Sequence, residues 1–520
     1  MLQILKEILD TQSSFTDSSA KNGFDIKFKN ADGGTAFFLK SNGDDAKLLS
    51  ADKTEIAKFK VTENNIKIVL RKLDEKVQVR NNWDNISVVT KLTDAQTRLD
   101  FIDGLQRIPG IVQFIEVTEV EFSTLDEIYQ KTFELIGHTI AGKTFCVRAK
   151  RIGQHDFTST DLERYVGGGL NQHVEGARVK LSRPEVTIRL EVKDDKAYIV
   201  TQTHLGMAGF PLPTQEDVLS LMSGGFDSGV ASYQMIRKGA RTHFLFFNLG
   251  GAAHEIGVKQ ASYFLWKKYS STHKVKFITV DFEPVVAEIL ENVENSQMGV
   301  VLKRMMMRAG SAVAEKLNIQ ALVTGESIGQ VSSQTLANLS VIDRVTETLI
   351  LRPLIQHDKQ EIINIARQIG TAEMAETMPE YCGVISKKPT VKAKIDVIKG
   401  EEEKFDFDVL DTVIDNARVM DVRDIDVEAK QELKEAESVA DLPPGSVVVD
   451  IRSPEEEDAA PLEIEGIEVI HLPFFRLATK FGDLPKDKDY YLYCDRGVMS
   501  QLQALILHEQ GFTTVKVYRP

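Results

Sequence analysis

Between residues 217 and 326 short apolar runs alternate with helical segments, and one glycine turn interrupts the pattern at a fixed place. The runs are DVLSLM (217–222), THFLFFNL (242–249), KVKFITVDF (274–282) and QALVTGE (320–326). Each has the length and apolar content of a buried strand, and strands separated by helices predict a parallel sheet with helices on both faces. The first run passes directly into Ser223-Gly224-Gly225-Phe226-Asp227-Ser228, which opens the helical segment GVASYQMIRKG. Glycines let the backbone turn tightly and leave its N–H groups bare; serine hydroxyls and the helix N-terminus add donors and positive potential. A bare Gly-Gly turn would be an ordinary strand-to-helix connection. The whole string in this context suits a pyrophosphate group, and it is not the G-x-x-x-x-G-K-[ST] loop.

At 520 residues the chain is long enough for three or four domains. Residues 1–62 show little beyond a short apolar run, Ala36 to Leu39, between turn signals. From Asn65 the pattern sharpens: NIKIVLRKL reads as a helix, VQVRNNWDNISVVTKL as two strands around a turn, DAQTRLDFIDGLQRI as a helix ended by Pro109-Gly110, and IVQFIEVTEVEF as a strand. A second unit follows over about 125–203: the helix LDEIYQKTFELIGHTI, the strand KTFCVRAKR, the Ser/Thr-capped helix STDLERYVGGGLNQHV, and the strands VTIRLEVK and KAYIVTQTH. GFPLPTQ (209–215) marks a boundary. Residues 401–441 read as an acidic linker or solvated helix pair. Pro443-Pro444-Gly445 then opens a last α/β unit with the strands VVVDIRS, IEVIHLP, YYLYCDRG and TVKVYRP.

The net charge of −14 is unevenly spread. Residues 401–460 hold 20 acids against 6 bases, so the rest of the chain is neutral. Within it, Lys143 to Arg189 carries 9 bases against 5 acids. Such a stretch is either a solvated surface or a face for phosphates. Three cysteines exclude a disulfide scaffold or a four-cysteine metal site and fit a reducing compartment. Cys146 lies mid-strand and reads as core. Cys494 sits in Cys494-Asp495-Arg496-Gly497-Val498-Met499-Ser500, between a strand and a helix, where several N–H groups aimed at one sulfur would stabilise a thiolate or persulfide. Cys382 lies in MPEYCGVISKKPT. A resolving thiol there could release a sulfur transferred from a persulfide. His155, His173 and His254 show no ligand spacing and read as loop or surface residues. The apolar stretch near His243–Ala253 is far shorter than a membrane span, and MLQILKEILD lacks the layout of a secretory signal, so a cytoplasmic protein without membrane contact is expected.

These motifs in this order resemble one family, the bacterial tRNA 4-thiouridine synthetases (tRNA uridine 4-sulfurtransferases), in their long form with a C-terminal rhodanese domain. Among the strings that carry the resemblance are RIPGI (107–111), GKTFCVRAKR (142–151), ERYVGGGLNQH (163–173), GGFPLPTQEDVLSLMSGGFDSGV as a close variant (208–230), QMGVVLKRMM (297–306), ALVTGESIGQVSSQTL (321–336), MPEYCGVIS (378–386) and CDRGVMS (494–500). The Ser223–Ser228 loop is similar to the PP-loop of ATP pyrophosphatases, and Asp450-Ile451-Arg452 with the following acids resembles the opening of rhodanese domains. The resemblance implies a multidomain α/β and α+β chain. Its parts are an unmatched segment 1–62, a partly matched ferredoxin-like domain (63–98), a THUMP RNA-binding domain (99–203), a PP-loop adenylating domain with a parallel doubly wound sheet (204–400), the acidic linker (401–441) and a rhodanese domain (442–520). It further implies ATP at Leu221, Met222, Ser223, Gly224, Gly225, Ser228, Lys303, Gly325 and Gln334. Asp227 would be catalytic and hold Mg²⁺ on the phosphates, and tRNA would lie on Lys143, Arg148, Lys150, Arg151 and Arg164. Gly325 would end its strand so that base or ribose can approach bare backbone.

In the implied reaction, O4 of uridine 8 attacks the α-phosphate of ATP. A cysteine desulfurase loads Cys494 as a persulfide, sulfur replaces AMP at C4, and Cys382 forms a disulfide with Cys494. The resemblance also implies sulfur transfer to the thiamine sulfur-carrier protein and a homodimer. No iron–sulfur cluster is expected from cysteines 236 and 112 residues apart. Two other readings stand beside this one: a PP-loop ligase of amidotransferase or argininosuccinate type, for which Cys494 would have no purpose, and a non-catalytic RNA-binding protein, which would not need an intact Ser-Gly-Gly-Phe-Asp-Ser string.

Overall fold

In the computed structural model the described residues are 24–30, 35–41, 53–81, 86–90, 94–249, 251–376, 378, 386, 388–425, 438–452, 457, 460–472, 477, 480–486, 488–494, 500, 503–504, 507–508 and 510–520. They fall into two compact units divided at Thr214, with Arg237–Gly239 belonging to the first. The division lies inside GFPLPTQ, where proline and glycine interrupt regular pairing.

The first unit carries nine strands: β1 (Phe24–Asn30), β2 (Thr35–Ser41), β3 (Gln78–Asn81), β4 (Ile86–Thr90), β5 (Gln113–Glu121), β6 (Thr144–Ile152), β7 (Arg178–Val179), β8 (Val186–Lys193) and β9 (Lys196–Leu205). They form one sheet in the order β3-β4-β1-β2-β5-β9-β8-β6-β7, with an additional β4–β2 pairing. β2, the helix Lys53–Leu70, β3, β4, the helix Ala95–Gln106 and β5 follow the βαββαβ order, and β2 runs antiparallel to both β4 and β5. Between them, β1 runs parallel to β4. β1, β2 and the start of the helix Lys53–Leu70 lie inside segment 1–62 and share this sheet with β3, β4 and β5. Its core joins Ile66, Leu70, Val79, Val88, Phe101, Leu105 and Phe114. Residues 101–114 therefore belong to this core rather than to the next domain, where an opening at 99 had placed them.

The second core of this unit packs the helices Leu125–Ile140 and Ser159–His173 through Ile128, Ile136, Leu162, Val166 and Leu170 onto Phe145, Val147, Ile188 and Leu190. Both helices open with capping boxes, on Thr124 and Thr158, which satisfy N–H groups left unpaired by the first turn. β6 runs parallel to β7 and β8, and β8 pairs antiparallel with β9.

The second unit contains two sheets. The larger has the order β14-β13-β10-β11-β12-β15, from β10 (Gln215–Leu221), β11 (Ala240–Asn248), β12 (Lys276–Asp281), β13 (Ala321–Val323), β14 (Leu349–Leu351) and β15 (Arg418–Asp421). All neighbours are parallel except β12–β15. Every residue of β11 from Thr242 to Phe247 is buried; successive side chains point to opposite faces, so both faces of this strand are covered. The smaller sheet is fully parallel, β16-β20-β19-β17-β18, from β16 (Ser438–Val439), β17 (Val447–Asp450), β18 (Glu468–His471), β19 (Tyr490–Tyr493) and β20 (Lys516–Tyr518), and has its own core of Val447, Val449, Leu477, Phe481, Leu492, Leu507 and Val517.

The acidic stretch after residue 400 is not a linker as far as it is described. The helices Ile395–Glu402 and Phe407–Asp415 place Ile398, Leu410, Val413 and Ile414 in the core of the larger sheet, Phe405 between them joins it, and β15 closes that sheet's edge. Its acidity misled because one acid is internal: Glu402 grips the buried Arg304 through two hydrogen bonds, Nε–Oε1 2.6 Å and Nη2–Oε2 2.8 Å, while Arg304 also donates to the Val341 carbonyl. Residues 426–437 lie outside the described residues.

Removing one member of a buried ion pair strands the other without a counter-charge, at a cost of about 3–5 kcal/mol. Glu402→Ala should therefore destabilise the chain by roughly that amount in denaturant unfolding, whereas Asp411→Ala on the same acidic stretch should change it by about 0.5 kcal/mol or less.

Candidate active site

β10 lies between β13 on one side and β11 on the other, so the chain leaves the sheet at the point where strand order reverses. In parallel sheets this is where a crevice opens beyond the carboxyl ends of the strands. Met222 is buried there and donates its N–H to the Leu245 carbonyl (2.8 Å), which fixes the end of the strand. The turn follows. Gly224 has φ +83°, a conformation open to glycine at little cost. Ser228 Oγ accepts from Ser223 N (3.2 Å) and Ser223 Oγ (3.2 Å) and donates to the Gly225 carbonyl (3.2 Å). The two serines thus brace the turn from within.

His254, read from sequence as a loop or surface residue, is instead buried in the helix Gly251–Leu265. Its Nε2–H donates to the Ser223 carbonyl (3.2 Å), and its ring meets Phe246 edge to face. Burial pushes its pKa below the usual range against the smaller effect of the Ser223 carbonyl, so it is the neutral ring that holds the turn. His173 and His155 are also tied: Tyr129 Oη lies 2.7 Å from His173 Nδ1, and His155 Nε2–H donates to the Asp194 carbonyl (2.6 Å).

Asp227 stands in the first turn of the helix Phe226–Arg237. Its carboxylate receives Gln330 Nε2 at 2.8 Å and Lys359 Nζ at 3.0 and 3.2 Å, and the same ammonium lies 5.5 Å from the centre of the Phe226 ring. Sequence reasoning missed both partners. The available signal was weak: Gln330 lies in the string ALVTGESIGQVSSQTL, and Lys359 follows the helix cap Asp358.

Gly325 packs directly against the start of the helix. A Cβ there would lie 2.6 Å from the carbonyl carbon of Asp227 and 2.8 Å from Ser228 N, so the bare backbone is required by strand-to-helix packing directly behind the turn. Glu326 follows, 2% exposed. Its Oε2 accepts from Thr324 Oγ1 (3.0 Å) and Arg352 Nε (2.9 Å), and its Oε1 lies 3.7 Å from Lys303 Nζ. Burial raises the pKa of this carboxyl, but the charges of Lys303 and Arg352 more than offset that and leave it below the usual range. Gln334 is buried; its carbonyl accepts from Gly329 N (2.9 Å) and its side chain from Ser327 N (3.3 Å), so it shapes the loop that bears Gln330. Lys303, Gly325 and Asp227 thus belong to one linked set of contacts.

Cys494 directly follows β19 of the smaller sheet and packs partly against its core. Its sulfur accepts from Ser500 N (3.3 Å) and lies 3.4 Å from Ser500 Oγ. At the end of the neighbouring strand, buried Asp450 and Arg452 pair through Nε–Oδ1 (3.0 Å) and Nη2–Oδ2 (2.7 Å), with the guanidinium 5.3 Å from the centre of the Tyr493 ring. Cys382 and the loop 495–499 lie outside the described residues. Cys146 is in the core as expected, its sulfur 3.7 Å from Thr187 Oγ1.

The five basic residues assigned to RNA do not share one face. Arg148 and Lys150 are exposed on the side of β6 opposite Phe145, Val147 and Ala149, with Arg189 of β8 in register beside Arg148. Arg151 has the other parity and donates to the Gly153 carbonyl. Arg164 is exposed on the helix Ser159–His173, and Lys143 Nζ caps the Thr139 carbonyl. Among the described residues no three His, Cys, Asp or Glu side chains cluster as a metal site. Asp227 alone, 24% exposed, fits a magnesium ion that takes most of its ligands from phosphate and water. No described helix is long and apolar enough to cross a membrane.

Turn, switch point and braced Asp227 define a PP-loop domain, joined in one chain to a rhodanese-like one. Family models agree part by part: the model described as Thiamine biosynthesis protein (ThiI) matches residues 213–407, the THUMP domain 122–202, and the rhodanese-like domain 414–519. The chain is 63% identical over 461 residues to the tRNA sulfurtransferase of Colwellia psychrerythraea, covering 89% of this chain and 95% of that one. It is 57% identical over 462 residues to the tRNA sulfurtransferase of Escherichia coli, with the same coverage. A solved 4-thiouridine synthetase in complex with RNA and bound ATP superposes with a TM-score of 0.64 at 22% identity, over 75% of this chain and 99% of that one. The chain belongs to the tRNA sulfurtransferase family.

Gly325→Ala should force the strand end away from Asp227. We expect ATP binding to weaken at least tenfold by titration calorimetry, with the melting temperature lowered, whereas Gly329→Ala, whose Cβ would meet no atom within 4 Å, should bind ATP within about twofold of the parent despite its strained φ of +75°.

Proposed function

We propose that this chain uses ATP to transfer sulfur from a Cys494 persulfide to uridine 8 of tRNA, giving 4-thiouridine. The observation that carries the reading is the coexistence in one chain of the braced turn at Ser223–Ser228 and a strand-end cysteine whose sulfur accepts a backbone N–H. A nitrogen-transferring ligase has no need of the second, and an inert RNA-binding protein has no need of either.

ATP binds with its phosphates at Ser223–Gly225 and its nucleoside near Leu221, Met222, Lys303 and Gln334. Lys359 and Gln330 hold the Asp227 carboxylate at the helix start. Asp227 would hold a magnesium ion carried with the triphosphate, whose charge would offset that of the phosphates. O4 of the uridine attacks the α-phosphate and pyrophosphate leaves; turn N–H groups stabilise the developing charge. The terminal sulfur of the Cys494 persulfide then attacks C4 and AMP leaves. Cys382 attacks Cys494 Sγ, the S–S bond breaks, the thiolated base is released, and a Cys382–Cys494 disulfide remains for an external thiol to reduce. A cysteine desulfurase supplies the sulfur. Arg148, Lys150 and Arg189 on the open sheet face are suited to tRNA phosphates, with Lys143, Arg151 and Arg164 nearby in sequence. The same persulfide serves a thiamine sulfur-carrier protein, and the enzyme works in the cytoplasm as a homodimer.

The test is 4-thiouridine formation from unmodified tRNA with Mg-ATP, cysteine and a desulfurase, read by mass after digestion. We expect Cys494→Ala to abolish product while tRNA-dependent pyrophosphate release persists. Asp227→Ala should lower pyrophosphate release itself by at least a hundredfold. Thiolation by Cys494→Ala with desulfurase as the sulfur source would overturn the persulfide role.

A further inference from the structure

Glu326 is the most buried carboxylate near the strand ends around the turn, and the reaction just described gives it no part. Its two oxygens are used unequally. Oε2 is saturated by Thr324 Oγ1 and Arg352 Nε, and Arg352 is itself anchored by Asp343 through Nη1–Oδ2 (3.0 Å) and a second contact, Nη2–Oδ1. Oε1 faces Lys303 Nζ across 3.7 Å, within ion-pair range but beyond a good hydrogen bond. Arg352 is 12% exposed and doubly gripped, so it is a fixed part of the fold. Lys303 is 23% exposed and reaches from the helix Met298–Lys316.

We propose that Glu326 is a positioning residue for Lys303: its second oxygen holds the ammonium at the carboxyl end of β13, close enough to orient it and too far to hold it by a hydrogen bond when a nucleotide arrives. This rests on the assignment of Lys303 to ATP binding. A lysine side chain left to itself loses much of its rotamer freedom when a ligand immobilises it. An ion pair that already restricts it removes part of that cost before ATP binds. The Arg352–Asp343 brace matters because an unanchored carboxylate would follow Lys303 instead of holding it. Both hydrogen-bond donors of Glu326 sit on Oε2, while buried Oε1 accepts no hydrogen bond and meets Lys303 at ion-pair distance, so the Lys303 contact is the one that can change.

The experiment is a double-mutant cycle on Glu326→Gln and Lys303→Met, read as Kd for Mg-ATP by calorimetry and as KM and kcat for tRNA-dependent pyrophosphate release. We expect Glu326→Gln to raise Kd and KM for ATP about tenfold with kcat within about threefold, Lys303→Met to do at least as much, and the double variant to be no worse than Lys303→Met. Additive losses, or a fall in kcat with KM unchanged, would overturn the proposal. Glu326→Asp keeps the charge but shortens the reach. If Glu326→Gln unfolds, Glu326→Asp must show the same KM-specific loss, again absent in the Lys303→Met background, or the inference fails. Parent protein that binds no ATP, or Lys303→Met that binds it normally, would sink the nucleotide-site assignment instead, which separates that failure from this one.

Discussion

Two backbones meet where Gly325, just beyond β13, lies against the carbonyl of Asp227 and the amide of Ser228, too closely for any side chain between them. That contact sets the depth of the turn. With the strand end pressed against the helix start, Asp227 emerges within reach of Gln330 and Lys359, and the serine hydroxyls can close the turn on themselves. Glu326, the next residue along, is buried for the same reason, and its burial obliges the fold to supply cations: an isolated carboxylate there would neutralise rather than stay charged. Lys303, Arg352 and Asp343 follow from that demand.

The same logic recurs in the smaller sheet. Asp450 and Arg452 are almost wholly buried, and each is tolerable because the other is there with two hydrogen bonds and an aromatic face beside it. The pair fixes the end of β17 next to β19, and Cys494 directly follows β19. In both sheets a buried charge pair stiffens a strand end whose neighbour holds a chemical group, as rigid support for a site requires.

Acidic composition was a poor guide after residue 400. Counting charges cannot tell a solvated Glu from one matched to a buried Arg ninety-eight residues earlier, and the helical spacing of Leu410, Val413 and Ile414 was the better signal. In the first 62 residues the alternation of Phe24, Ile26 and Phe28 was short and polar between its apolar positions, and a strand of that kind acquires meaning only once β4 and β2 lie beside it. His254 reads from sequence as a loop or surface residue because a single histidine carries no spacing information, and the fold buries it.

Local order is what this sequence determined by itself: the parallel alternation, the glycine turn between strand and helix, the capped helices, the cysteine at a strand end, and through their order the family. These depend on residues near one another in the chain, where periodicity, capping and turn chemistry act directly. Tertiary structure decided which charges are internal and whom they face. Lys359 and Gln330 reach Asp227 across 132 and 103 residues, Glu402 reaches Arg304 across 98, and Arg352 reaches Glu326 across 26. No pattern along the chain encodes such pairs, because what selects them is the energetic demand of a carboxylate taken out of water, and that demand exists only after the sheet has formed.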